Sequence, residues 1–221
     1  MTTDPIAIDS SATLRRGADV VRVWDPLVRV FHWGLVAAFA TAWLSAEEIQ
    51  PLHEIAGYAV AALIGFRIVW GFAGGRYARF AQFVRGPRAT LAYIGDVAKG
   101  RERRYLGHNP AGAAMVVAIL VTLSGTALTG WLMAEPERAT AVSGQLAIVA
   151  PALADDDDGG GVEREADGAL KEVHETLANA MLLLVALHLG GVALASFRHR
   201  ENLARAMVTG RKRAAGPGDV A

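Results

Sequence analysis

The chain has 221 residues, 52% of them hydrophobic, with 22 basic and 22 acidic side chains and a formal net charge of zero. It contains no cysteine, which excludes disulfides, thiolate zinc sites, iron–sulfur clusters and covalent cofactor attachment through C-x-x-C-H. The charges are missing from several long stretches instead of being spread along the chain, a segregation that excludes an ordinary soluble domain.

Taken in order, residues 1–26 read as a polar N-terminal tail, and four apolar runs of spanning length follow at about 27–44, 53–73, 111–133 and 170–197. Each can cross a hydrocarbon layer about 30 Å thick at about 1.5 Å per residue. Residues 27–200 therefore form a transmembrane domain, interrupted by an acidic loop at 134–169 and followed by a basic tail at 201–221. A fifth apolar stretch, 139–153, holds Pro151, Ser143, Gly144 and Gln145 and reads as loop or interfacial segment. The first run could be mistaken for a secretion signal, but its polar leader and apolar stretch are both too long.

Orientation follows from basic residues. Arg15, Arg16, Arg22 and Arg29 precede the first span, a second cluster from Arg76 to Arg104 separates the second and third, and a third cluster from Arg198 to Arg213 follows the fourth. The alternate loops offer only Arg138, Arg164 and Lys171, against acids that include Glu47, Glu48 and Asp155, Asp156, Asp157 and Asp158. Both termini are expected to be cytoplasmic.

Histidine gives the chemistry. Of six histidines, His32, His53, His174 and His188 lie within or at the mouths of spans, where an ionisable side chain is costly and functional by default. The topology puts His32 toward the cytoplasm and His53 toward the outside. His174 opens the fourth span from outside, and His188 follows 14 residues later, about 21 Å deeper and within about 40° of the same helix face. His32 can therefore meet His188 at an inner level, and His53 can meet His174 at an outer one. Two opposed imidazoles suit a six-coordinate haem that conducts electrons without binding substrate at iron. Zinc would want four ligands, and Glu54 and Glu175, each next to a histidine, point about 100° away on a helix. Arg67, 14 residues after His53, either pairs with a haem propionate or snorkels to headgroups; the propionate role is the expectation. Gly57 and Ala178 follow the outer histidines by four positions, and small residues there would leave room for a flat macrocycle or serve helix packing alone.

This pattern resembles the prokaryotic cytochrome b561 and nickel–iron hydrogenase b-type cytochrome family. The resemblance rests on Arg29-Val30-Phe31-His32-Trp33 opening the first span, on His53, Gly57, Arg67 and Trp70 in the second, and on the His174/His188 spacing in the fourth; it covers roughly residues 22–205. It implies an all-α membrane four-helix bundle in the bacterial inner membrane, with two haems b between the helices and His32, His53, His174 and His188 as axial ligands. It also implies electron exchange between membrane quinone and a periplasmic partner such as a hydrogenase-like subunit or a cytochrome c, as part of a respiratory chain. Some small relatives instead oxidise superoxide alone and reduce quinone. Here the outer mouth is acidic, so an electron-transfer subunit ranks above a stand-alone enzyme.

The glycine-flanked acidic run at 155–158 reads as a solvated loop, or as a docking surface for a basic partner. The Arg- and aromatic-rich segment 76–107 reads as an interfacial helix in contact with anionic lipid. Nucleic-acid binding does not fit this topology. His108, Asn109 and Pro110 begin the third span; a quinone carbonyl could accept from His108 or Asn109, but a simple helix cap is the expectation.

Overall fold

The computed structural model describes residues 20–134 and 159–221, with side chains in the last stretch from 168 onward. The order is β1 (Val20–Arg22), α1 (Pro26–Ser45), α2 (Gln50–Ala73), α3 (Phe80–Phe83), α4 (Pro87–Ala98), α5 (Pro110–Ala134), α6 (Gly159–Arg198), α7 (Leu203–Thr209) and β2 (Arg211–Arg213). The chain is mostly helical, and α1, α2, α5 and the 168–198 stretch of α6 are long and apolar enough to cross a membrane. The apolar stretch 139–153 and the acidic run 155–158 lie outside the described residues.

Local chemistry sets the helix starts. Asp25 Oδ1 accepts from Val28 N (2.9 Å) just ahead of Pro26, and Asn109 Oδ1 accepts from Gly112 N (2.7 Å) ahead of Pro110. A capping oxygen followed by proline at the first helical position satisfies a donor and removes another that would be orphaned.

Two compact units are distinct. The first, 30–70 with 115–134 and 159–189, is built from all four long helices around Val60, Ile64, Leu123 and Met181, packed against Leu35, Phe39, Ile119 and Leu184. Many of the large apolar side chains on these helices face outward, among them Leu44 (78% exposed), Ile55 (66%) and Val121 (67%). Apolar exposure on that scale is intelligible only against lipid.

The second unit comprises 20–29, 71–114 and 190–221. Here the structure differs from the sequence reading, which gave 201–221 as a tail. That segment carries α7 and β2, and β2 pairs antiparallel with β1 in the register Val20↔Arg213, Val21↔Lys212, Arg22↔Arg211. Gly210, at φ +76, closes α7 and turns the chain into β2; a Cβ there would stand 2.6 Å from the Trp24 carbonyl oxygen, so only glycine fits. The Gly210 carbonyl in turn accepts from Val23 N and Trp24 N. The segment is held mainly by charge. Arg104, 4% exposed, forks onto Glu201 (Nη2 to Oε1, 2.8 Å) and reaches Asp219. Lys212 Nζ lies 3.3 Å from Glu201 and donates to the Tyr105 and Leu106 carbonyls. Burial alone would lower the Arg104 pKa, but Glu201 and Asp219 raise it above its ordinary value. Burial likewise works against the Glu201 carboxylate, yet Arg104 and Lys212 bring its pKa below the ordinary range.

Candidate functional site

The four-helix unit brings the intramembrane histidines together in two pairs. His32 of α1 faces His188 of α6, with ring centres 6.4 Å apart and planes at 49°. His53 of α2 faces His174 of α6, at 6.1 Å and 72°. All four are half-buried. A metal–imidazole bond is about 2.0 Å, and a ring centre lies about 1.1 Å behind its nitrogen, so two imidazoles sharing one metal from opposite sides stand about 6.3 Å apart. Both pairs have that spacing. Rotation of each ring about its metal bond is unrestricted by such an arrangement, so the differing plane angles do not disturb it.

The donor set is equally informative. Among the described residues no three His, Asp or Glu side chains converge, so each level offers two nitrogens and no more. Glu54 is engaged by Gln50 and Glu175 by Lys171. A planar tetradentate cofactor that needs two axial ligands fits this set; a tetrahedral zinc ion does not. Space fits too, since a Cβ added at Gly57, on the His53 face of α2, would meet nothing within 4 Å.

Hydrogen bonds fix the outer rings. His53 Nδ1 lies 2.8 Å from the Ala42 carbonyl oxygen, which can only accept, so Nδ1 carries the proton. His174 Nδ1 lies 2.9 Å from Thr129 Oγ1, whose own hydrogen goes to the Gly125 or Thr126 carbonyl (3.0 Å each). Thr129 can therefore accept from His174. With Nδ1 as the donor in both rings of this pair, each keeps an unprotonated Nε2, the state a metal requires. A Cβ at Gly130 would come within 3.1 Å of His174 Cε1, so this glycine lets the ring approach α5. At the inner level His32 Nδ1 is buried with no hydrogen-bond partner among the described residues, and Trp33 stands edge-on to its ring at 5.1 Å.

Arg67 is 3% exposed. That burial does not suit a side chain spread toward headgroups, the second of the two readings open from sequence. Nearby on α2, Phe66 stacks on Trp70 (6.0 Å) and also approaches Phe31 (6.4 Å). Sequence reasoning missed Thr129 and Gly130. Their only sequence signal is a polar–small pair near the outer end of the third span, the depth at which His174 was placed.

Four apolar helices with two half-buried histidine pairs fit a membrane electron-transfer cytochrome of the b type. The model of one family, prokaryotic cytochrome b561, matches residues 23–210. The chain belongs to that family, whose cofactor is b-type haem and whose work is electron transfer across the membrane. No protein of curated function and no solved structure matches the chain.

Proposed function

We propose that His32 and His188 hold one haem b and His53 and His174 a second, and that the chain carries electrons between these two levels of the inner membrane. One observation carries the reading: two facing imidazole pairs, each at the separation of axial ligands to a single metal, on one α6 face about 21 Å apart. When bound, haem would supply one-electron redox chemistry at iron, and His32, His53, His174 and His188 would hold it. The protein's own residues do the rest. The Ala42 carbonyl and the Thr129 hydroxyl orient the outer rings. Arg67 offers a buried cation for a propionate. Val60, Ile64, Leu123 and Met181 form a dry core, with Met181 midway along α6 between its two histidines.

Both termini are cytoplasmic in this reading, which rests on the placement of arginines around the spans. Electrons then pass between membrane quinone and a periplasmic redox partner, a hydrogenase-like subunit or a cytochrome c. A dithionite-minus-oxidised spectrum with pyridine haemochrome quantitation of the purified chain tests the proposal. Two haems b per chain are expected; a chain that stays colourless after expression with ample haem would end it.

A further inference from the structure

We infer that the ribbon–α7 face of the second unit is a binding site for a phosphate-bearing anion, built from five arginines. The inference goes beyond electron transfer and does not depend on haem.

The register of the ribbon creates the site. Cross-strand partners share a face, so Arg22 and Arg211, directly opposite, project on the same side as Val20 and Arg213. Lys212, between them in sequence, points the other way and is buried. Across the groove α7 contributes Arg205 and Thr209, and the turn after α6 contributes Arg200, held at φ +49. The concavity these residues line has a volume of about 520 Å³, ample for a phosphate ion or a glycerophosphate headgroup.

Charge balance is the second observation. The neighbouring acids are spent inward: Glu201, which also borders the groove, pairs with Arg104 and Lys212, and Asp219 pairs with Arg104. Among the described residues no salt bridge engages Arg22, Arg200, Arg205, Arg211 or Arg213, although Asp219 is near enough to Arg213 to feel its charge, and all five are exposed. Like charges directly opposite on a ribbon are destabilising, and five guanidiniums around one hollow repel unless an anion joins them. Guanidinium forks match phosphate oxygens bidentately. The shared chemistry is therefore an organic phosphate, either the headgroup of an anionic phospholipid or a free phosphate.

The test uses the full-length chain in neutral detergent and isothermal titration with three probes: dihexanoyl-phosphatidylglycerol, dihexanoyl-phosphatidylcholine and inorganic phosphate. The groove variant is R22Q/R211Q/R213Q. The control, R79Q/R88Q/R101Q, removes the same charge from exposed arginines of the 76–107 segment, so that any lipid contact by that segment is read separately from the groove. Wild type and control should bind the anionic lipid with an affinity that falls as salt rises, and the groove variant should bind it at least about tenfold more weakly. Binding of the glycerol lipid alone identifies a headgroup site; variant-sensitive binding of inorganic phosphate identifies a free anion. Should the triple variant lose its helical circular dichroism, Arg22→Gln alone carries the comparison. Equal binding by groove and control variants, or no binding of either anion, overturns the inference.

Discussion

Thr129 Oγ1 lies 2.9 Å from His174 Nδ1 and is placed to accept from it, with the Gly125 and Thr126 carbonyls, each at 3.0 Å, in reach of its own hydrogen. Such a bond makes an imidazole a more basic ligand and so favours the oxidised metal. Thr129→Val keeps the shape and removes the acceptor. The variant should retain both haems, and the outer one should titrate at a higher midpoint potential, by about 59 mV for a tenfold change in its one-electron equilibrium. Thr129→Ser should restore the original value. A Val variant whose two midpoints match wild type would show that the hydroxyl only packs.

Removing a ligand should act on one level at a time. His188→Ala is expected to halve the haem content per chain while the outer midpoint stays in place. His53→Ala should halve it and spare the inner one. Haemochrome quantitation with redox titration reads both. Loss of all haem from either variant would mean that the pairs do not fold as separate sites.

Gly130 offers a steric check on the same ring. A Cβ there lies 3.1 Å from His174 Cε1, so Gly130→Val must push the ring from its seat, whereas Gly130→Ala asks only a few tenths of an ångström. The valine variant should lose the outer haem selectively, and the alanine variant should keep it with an altered ligand-field spectrum. Low-temperature electron paramagnetic resonance of the oxidised protein separates the two outcomes.

The sequence disclosed the spans and histidine pairing because both rest on strong local constraints. A spanning helix must be apolar for its whole length, and an ionisable side chain inside one is rare enough to stand out. With the topology expected from the arginines, the spacing between His174 and His188 leaves one way to pair the rings, and in the structure His32 faces His188 and His53 faces His174. Thr129 was invisible because a threonine in a span commonly bonds its own helix, as this one also does; only coordinates show the second bond to His174. The fold of 201–221 was hidden for another reason. Its anchors are Arg104, Glu201, Lys212 and Asp219, residues that composition alone assigns to solvent, and no apolar period announces α7 or the three-residue strands.

Arg67 separates a propionate partner from a purely structural cation. Arg67→Leu should leave the two haems bound, since axial ligation is untouched, but should shift the midpoint of the inner haem downward, because a propionate that loses its cation keeps an uncompensated negative charge that favours the oxidised iron. Arg67→Lys should lie between leucine and wild type, because a point charge replaces the planar fork. If leucine and lysine variants gave the same midpoint, the residue would be acting through packing.

The C-terminal clasp makes the last prediction. Glu201 compensates two buried cations at once, so Glu201→Gln leaves Arg104 and Lys212 with a partner that cannot carry charge. Breaking a buried pair in this way costs about 3–5 kcal/mol, enough to free 201–221 from the rest of its unit. Trypsin at neutral pH should then cut after Arg211, Lys212 and Arg213 in the variant under conditions that leave wild type intact. Acid should mimic the substitution in wild type. Asp219 is lowered first by the Gly216 backbone N–H and then by Arg104, and Glu201 is lowered by Arg104 and Lys212 against its burial. Carboxylates with depressed folded-state values contribute stability that is fully present above their ordinary values, 4.5 for Glu201 and 3.8 for Asp219, and is lost as pH falls through the folded ones. Lys212 is lowered chiefly by burial, so it opposes folding throughout the range in which it is charged and does nothing to rescue the clasp in acid. Hydrogen exchange at the Val220 amide, which donates to the Arg104 carbonyl, should therefore stay protected at neutral pH and lose protection below the ordinary carboxylate range. Equal protection, after correction for intrinsic exchange, in wild type and Glu201→Gln at neutral pH would show that the ion pairs are not what holds the segment.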